Sequence, residues 1–152
     1  MKLAIDTSTK QAVIAIESDG EIVARYFQPR ATQKVIFGEL SSMLEPDTLA
    51  QLDGIAVGLG PGSFTGVKIG VMSAKTLSWA RNIPIVGVGS LDAVAASTPA
   101  HENPEISLVV AVPSTKGEAY IRIYRLENGR WIPMNGILDT IIEKDSLDSI
   151  LP

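Results

Sequence analysis

Seven residues, Gly60-Pro61-Gly62-Ser63-Phe64-Thr65-Gly66, carry the sharpest chemical signal in this chain. They follow the apolar run Gly54 to Leu59 and precede Val67 to Arg81, whose apolar residues recur at helical spacing, so they form an elbow from strand to helix. Pro61 fixes its own φ, Gly60 and Gly62 reach backbone angles closed to other residues, and Ser63 or Thr65 can cap the helix. Several backbone amides then face outward at the positive end of a helix dipole, which suits a phosphate or a carboxylate. The plainer reading, a turn that only joins a strand to its helix, stands beside this one, because the Lys of a Walker loop is missing.

Other chemistries find less support. The chain has no cysteine, which excludes disulfides, thiolate catalysis and Cys-ligated zinc and fits a reducing cytoplasm. Its single histidine, His101, lies in a polar stretch far along the chain from Ser63, so serine–histidine catalysis has no base, and His101 reads as a solvated loop residue. Asp6, Asp53, Asp92 and Glu118 are the candidate acids and bases, of which Asp53 and Asp92 read as cap or strand-edge residues. No catalytic residue and no metal ligand is assigned.

The elements that must position these residues are readable from periodicity. Lys2 to Ile5, Ala12 to Ile16 and Glu21 to Phe27 are predicted strands, the last two joined by an Asp19-Gly20 hairpin turn. A helix is predicted over Gln33 to Leu44, ending before Pro46, and a helical turn around Asp47 to Gln51. A strand over Ile55 to Leu59, a helix over Ser63 to Arg81, a strand over Ile85 to Gly87 and a helix over Leu91 to Ala96 complete an α/β lobe with a mixed sheet in the order βββαβαβα. The polar, proline-containing stretch Ser97 to Pro104 marks a boundary, giving a complete first lobe over 1–98 and a second over 105–152. In the second, strands over Ile106 to Val112 and Ala119 to Leu126 and a third after Glu127-Asn128-Gly129 repeat the hairpin opening. This lobe is expected to be reduced, mainly a β-hairpin, with a short helix over Ser146 to Leu151.

With 152 residues, 45% of them hydrophobic, the chain can bury a real core. It carries 17 acidic and 13 basic side chains, a net charge of −4 with the cations scattered, so it is not expected to bind nucleic acid directly on its own. No signal peptide and no apolar run of about 20 residues is present, so neither secretion nor a membrane is expected. Gly62, Gly66, Gly70 and Ala74 lie four apart and form a stripe poor in side chains down one helix. Helical glycine costs roughly 0.5–1 kcal/mol relative to alanine, so the stripe implies a close approach by the sheet, a neighbouring helix or a second subunit.

Asp6-Thr7-Ser8-Thr9, the run Gly60 to Gly70 and Gly117-Glu118-Ala119-Tyr120 together resemble the TsaB (YeaZ) family, in order and over nearly the whole chain. The resemblance implies a ribonuclease H-like, actin-like ATPase fold and kinship with TsaD (Kae1). It also implies a role as non-catalytic partner of TsaD in placing threonylcarbamoyl on the tRNA adenosine beside the anticodon. Its implied partners are a TsaD-like protein and a TsaE-like ATPase, with a homodimer as another assembly, and its setting is the cytoplasm. The alternative within the superfamily is a nucleotide-binding phosphotransferase or ATPase. In that wider fold the loop after the first strand faces phosphate, so Asp6, Ser8, Thr9, Gly60, Gly62, Ser63 and Thr65 become the candidate nucleotide-binding set; no cofactor is expected, with weak ATP or ADP and magnesium as the exception. Asp6 and Ser8 read more simply as residues capping a turn. Family kinship puts the dimer contact on the two helices, with Ile36, Leu40, Met43, Gly66, Gly70, Met72, Ser73 and Leu77 as candidates and Phe37 and Trp79 as anchors unless they are core. Three departures stand out: Pro113-Ser114-Thr115 and then Lys116 where many members carry Asp-Ala-Arg, Thr32 where many carry histidine, and the shorter chain.

Overall fold

The computed structural model describes residues 1–28, 32–103, 105–114, 117–134 and 140–143. Alternation of apolar and polar residues fixes the first sheet. Leu3 and Ile5 of β1 (Lys2–Asp6) lie opposite Ile16 and Ile14 of β2 (Ala12–Ser18), so all four share one face. β2 returns antiparallel into β3 (Glu21–Phe27) through Asp19 and Gly20, both at positive φ (53° and 84°), the two-residue turn that the Asp-Gly pair predicts.

α1 (Thr32–Met43) and α2 (Pro46–Gln51) follow, with proline in the first turn of α2. β4 (Gly54–Gly58) enters parallel beside β1, placing Val57 opposite Ile5, and β5 (Ile85–Val88) lies parallel beside β4. Between them runs α3 (Phe64–Arg81), capped at its start by Ser63 and at its end by Asn82, whose left-handed backbone (φ 52°) turns its N–H back to the carbonyls of Ser78 and Trp79. The sheet order is β3-β2-β1-β4-β5. Ile36, Leu40 and Met43 of α1 and Ala74 of α3 close over Leu3, Ile5, Ile14, Ile55 and Val57 to form the core. Arg25 of β3 reaches Ser42 and Glu39 of α1, tying the hairpin to the helix.

Contacts divide the chain into Met1–Val88 and Gly89–Pro152. The division falls before α4 (Ser90–Ser97), which the polar stretch after residue 97 assigns to the first lobe. The reason is local: Leu91 and Ala95 of α4 pack with Val110 and Tyr124, and Asp92 holds Arg122 and Tyr124, so this helix shares the core of the second unit.

That unit is an antiparallel sheet with β7 (Glu118–Glu127) at its centre. β6 (Ser107–Pro113) pairs along it, while β8 (Arg130–Pro133) and β9 (Thr140–Glu143) pair with its C-terminal and N-terminal halves. Asn128 and Gly129, at φ 50° and 74°, form the second two-residue turn. Trp131 donates its indole N–H to the carbonyls of Thr98 and Pro99. β9 has no counterpart in the sequence reading. The helix expected over Ser146 to Leu151 lies outside the described residues, as do Thr115, Lys116 and the side chain of Thr32.

Candidate functional site

The glycine-rich elbow lies against the loop that leaves β1. Ser63 donates its N–H to the carbonyl of Ser8 at 2.6 Å, and buried Thr7 donates its hydroxyl to the carbonyl of Gly66 at 2.6 Å. Within the elbow, Ser63 Oγ accepts from the Gly66 N–H at 3.2 Å and its carbonyl accepts from Val67 at 2.9 Å. Ser63 is therefore the cap, as the sequence allows, while Thr65 is exposed. Across from it, Asp6 Oδ1 accepts from the Ser8 N–H at 2.8 Å and closes a local turn. Thr9 closes another: its hydroxyl donates to the carbonyl of Gln11 at 2.8 Å. Gly60 holds a positive φ of 84°, and the Gly60-Pro61 peptide is cis.

The glycine stripe has an intramolecular cause. A Cβ on Gly62 would overlap the Ser8 carbonyl, one on Gly66 the Thr7 carbonyl, and one on Gly70 the Thr7 hydroxyl; Gly58 likewise faces the Asp6 carboxylate. The structure thus brings Asp6, Ser8, Gly62 and Ser63 together. Of the dimer-contact candidates, Gly66 and Gly70 face β1's loop, Ile36 and Met43 lie in the core, and Leu40 is a core residue that also lines a groove beside α3. Ser73 is buried and Leu77 half-buried, while Met72 is open. Period-four placement cannot tell the inner stripe from an outer one, because the partner of the inner stripe lies 59 residues away in sequence.

What α3 turns outward is a second stripe. Phe64 is 81% exposed, Met72 56% and Trp79 85%, and Phe37 of α1 is 53% exposed. Phe37 and Trp79, the two candidate anchors, are outside the core; Phe64 escapes the sequence reading, although its spacing of eight from Met72 is the signal that finds it. Phe37, Phe64 and Met72 line an apolar groove of about 610 Å³ between α1, α2 and α3, floored by Leu40, Leu44 and Leu77. Exposed large side chains gathered around one groove are the mark of a docking surface.

The carboxylates are engaged otherwise. Asp53 accepts from Lys2 Nζ and from the Met1 amino group, and the Lys2 hydrogen bond is the main cause that holds its carboxyl below the ordinary range. Asp92 lies in the first turn of α4, where Arg122 Nη1 reaches both of its oxygens at 2.8 and 2.9 Å and Tyr124 donates its hydroxyl at 2.8 Å. Burial, with this carboxylate beside it, pushes the Tyr124 phenol well above its ordinary value. His101 is exposed, and its Nδ1 accepts from the Asn103 N–H at 3.0 Å. Among the described residues no three His, Cys, Asp or Glu side chains converge as a metal site would require, and no helix is long and apolar enough to cross a membrane.

Residues 42–136, which hold the elbow, α3, the second hairpin and the groove's α3 wall, match the model of the TsaD family, tRNA N6-adenosine threonylcarbamoyltransferase. Two curated relatives carry the name tRNA threonylcarbamoyladenosine biosynthesis protein TsaB. The one from Escherichia coli is 34% identical over 85% of this chain and 57% of its own length, the one from Bacillus subtilis 36% identical over 84% and 56%. The chain belongs to the TsaB (YeaZ) group of the TsaD family. A crystal structure from Pseudomonas aeruginosa, described as an uncharacterized protein with similarity to peptidase YeaZ, superposes with a TM-score of 0.75 at 26% identity, covering 93% of this chain and 66% of the other. The sheet order β3-β2-β1-β4-β5 is thus that of the ribonuclease H-like, actin-like ATPase fold shared with these TsaB (YeaZ) proteins. The chain spans a little over half the length of its curated TsaB relatives.

Proposed function

We propose that this chain is a non-catalytic subunit that pairs with a TsaD-like protein, in the cytoplasm, in forming N6-threonylcarbamoyladenosine in tRNA. The observation that carries the proposal is the open apolar groove between α1 and α3, with Phe37, Phe64 and Met72 bare at its rim, in a chain of the TsaB group. A face of this kind is stabilised by covering it, and two helices laid against two helices make a compact pairing. The tRNA would be held by the partner, since this chain carries a net charge of −4.

The donors around the elbow favour this reading over nucleotide chemistry. Ser63 donates its N–H to the Ser8 carbonyl, its Oγ accepts from the Gly66 N–H, and the Thr9 hydroxyl donates to the Gln11 carbonyl, so these groups of the candidate phosphate set bond within the chain. Size-exclusion chromatography with light scattering tests the pairing. A mixture with the TsaD-like protein of the same organism is expected to run as one peak with the mass of a one-to-one complex, and two separate peaks at micromolar concentration would reject it. Calorimetry with ATP and magnesium is expected to show no saturable heat; a micromolar dissociation constant would favour the phosphotransferase reading.

A further inference from the structure

The exposed stripe of α3 carries charge of one sign only. The helix contains Lys68, Lys75 and Arg81 and no acidic residue along its 18 residues, in a chain whose net charge is −4. Residues 64, 68, 72, 75 and 79 follow one another at spacings of four, four, three and four, so they lie along one side of the helix. All five are exposed. Phe64, Lys68, Met72, Lys75 and Trp79 thus interleave apolar and cationic side chains over about 22 Å of helix. Lys2, Arg25 and Arg122 each have a carboxylate within their own fold. Among the described residues neither Lys68 nor Lys75 enters an ion pair.

We infer that the surface covering this stripe is an amphipathic helix of a protein partner, whose apolar residues meet Phe64, Met72 and Trp79 and whose carboxylates lie against Lys68 and Lys75. The inference rests on the pairing proposed above and adds the chemistry of the partner's face. An apolar partner without acids would strip water from two ammonium groups and return nothing, which is costly. With acids opposite, the lysine stems extend the apolar contact while their heads are neutralised, and the sign of the charge fixes register and orientation. Nucleic acid fits less well: two cations on an acidic chain are too few to compete for a polyanion.

The test compares wild type with Lys68→Glu/Lys75→Glu and Lys68→Met/Lys75→Met. All are checked for an unchanged melting transition and titrated onto the immobilised TsaD-like protein of the same organism at roughly 50 and 500 mM salt. Wild-type affinity is expected to fall several-fold with salt, the glutamate variant to bind roughly tenfold or more weakly at low salt, and the methionine variant to lose the salt dependence. Equal binding by wild type and the glutamate variant at both salts would overturn the acidic partner while leaving the pairing intact. No binding by wild type would overturn both. Binding of a labelled tRNA transcript by the wild-type chain alone, lost in the glutamate variant, would assign the stripe to nucleic acid and overturn the inference as well.

Discussion

Gly66 shows how one position reverses an intrinsic preference. In a free helix, alanine at this position would stabilise by up to about 1 kcal/mol. Here its Cβ would meet the Thr7 carbonyl, a backbone atom that cannot swing aside. Gly66→Ala is therefore expected to lower the unfolding free energy by about 1–3 kcal/mol in urea titrations; a gain would mean that β1's loop does not press on α3. Tyr124 gives a pH prediction. Its phenol titrates above the ordinary value in the folded chain, so its contribution to stability is complete below the ordinary tyrosine pKa and is lost as pH rises through the folded value. Tyr124→Phe should cost about 1–3 kcal/mol at neutral pH, through loss of a hydrogen bond to a carboxylate, and should flatten the alkaline fall in melting temperature. An identical alkaline limb in the variant would remove Tyr124 as its source.

At the scale of elements, the sequence was most legible where local chemistry decides. Asp19-Gly20 and Asn128-Gly129 each close a two-residue hairpin and Ser63 caps α3, all through residues adjacent in the chain. It was least legible where two distant segments decide. Gly62, Gly66 and Gly70 advertise a close approach but leave open whether the sheet, a helix or a second subunit makes it, and the neighbour they meet is β1's exit loop. Likewise α4 joins the second unit because Asp92 and Leu91 find Arg122 and Tyr124 some thirty residues onward, a pairing that no local pattern announces. β9, four residues long, is too short for periodicity to distinguish from a loop. The groove was partly legible: Phe37, Met72 and Trp79 were recognisable as candidates, but their exposure follows only once the glycine side of α3 is known to face inward.

At the scale of the whole molecule, an acidic chain of the TsaB group presents an apolar groove lined by Phe37, Phe64, Lys68 and Met72, and a glycine elbow in which the amides of Ser63, Gly66 and Val67 are bonded within the fold. The groove supports the proposed pairing with another protein. The most direct test is the solution mass of the mixture with the TsaD-like protein, measured by light scattering for wild type and for Phe64→Asp/Met72→Asp. Both side chains are exposed, and an acid at the first position of α3 suits the helix dipole, so the variant is expected to fold. A one-to-one complex for wild type, weakened roughly thirtyfold or more in the variant, is the expected result. A wild-type chain that stays apart from the TsaD-like protein, or a variant that pairs as tightly as wild type, would contradict the assignment of this groove to partner binding.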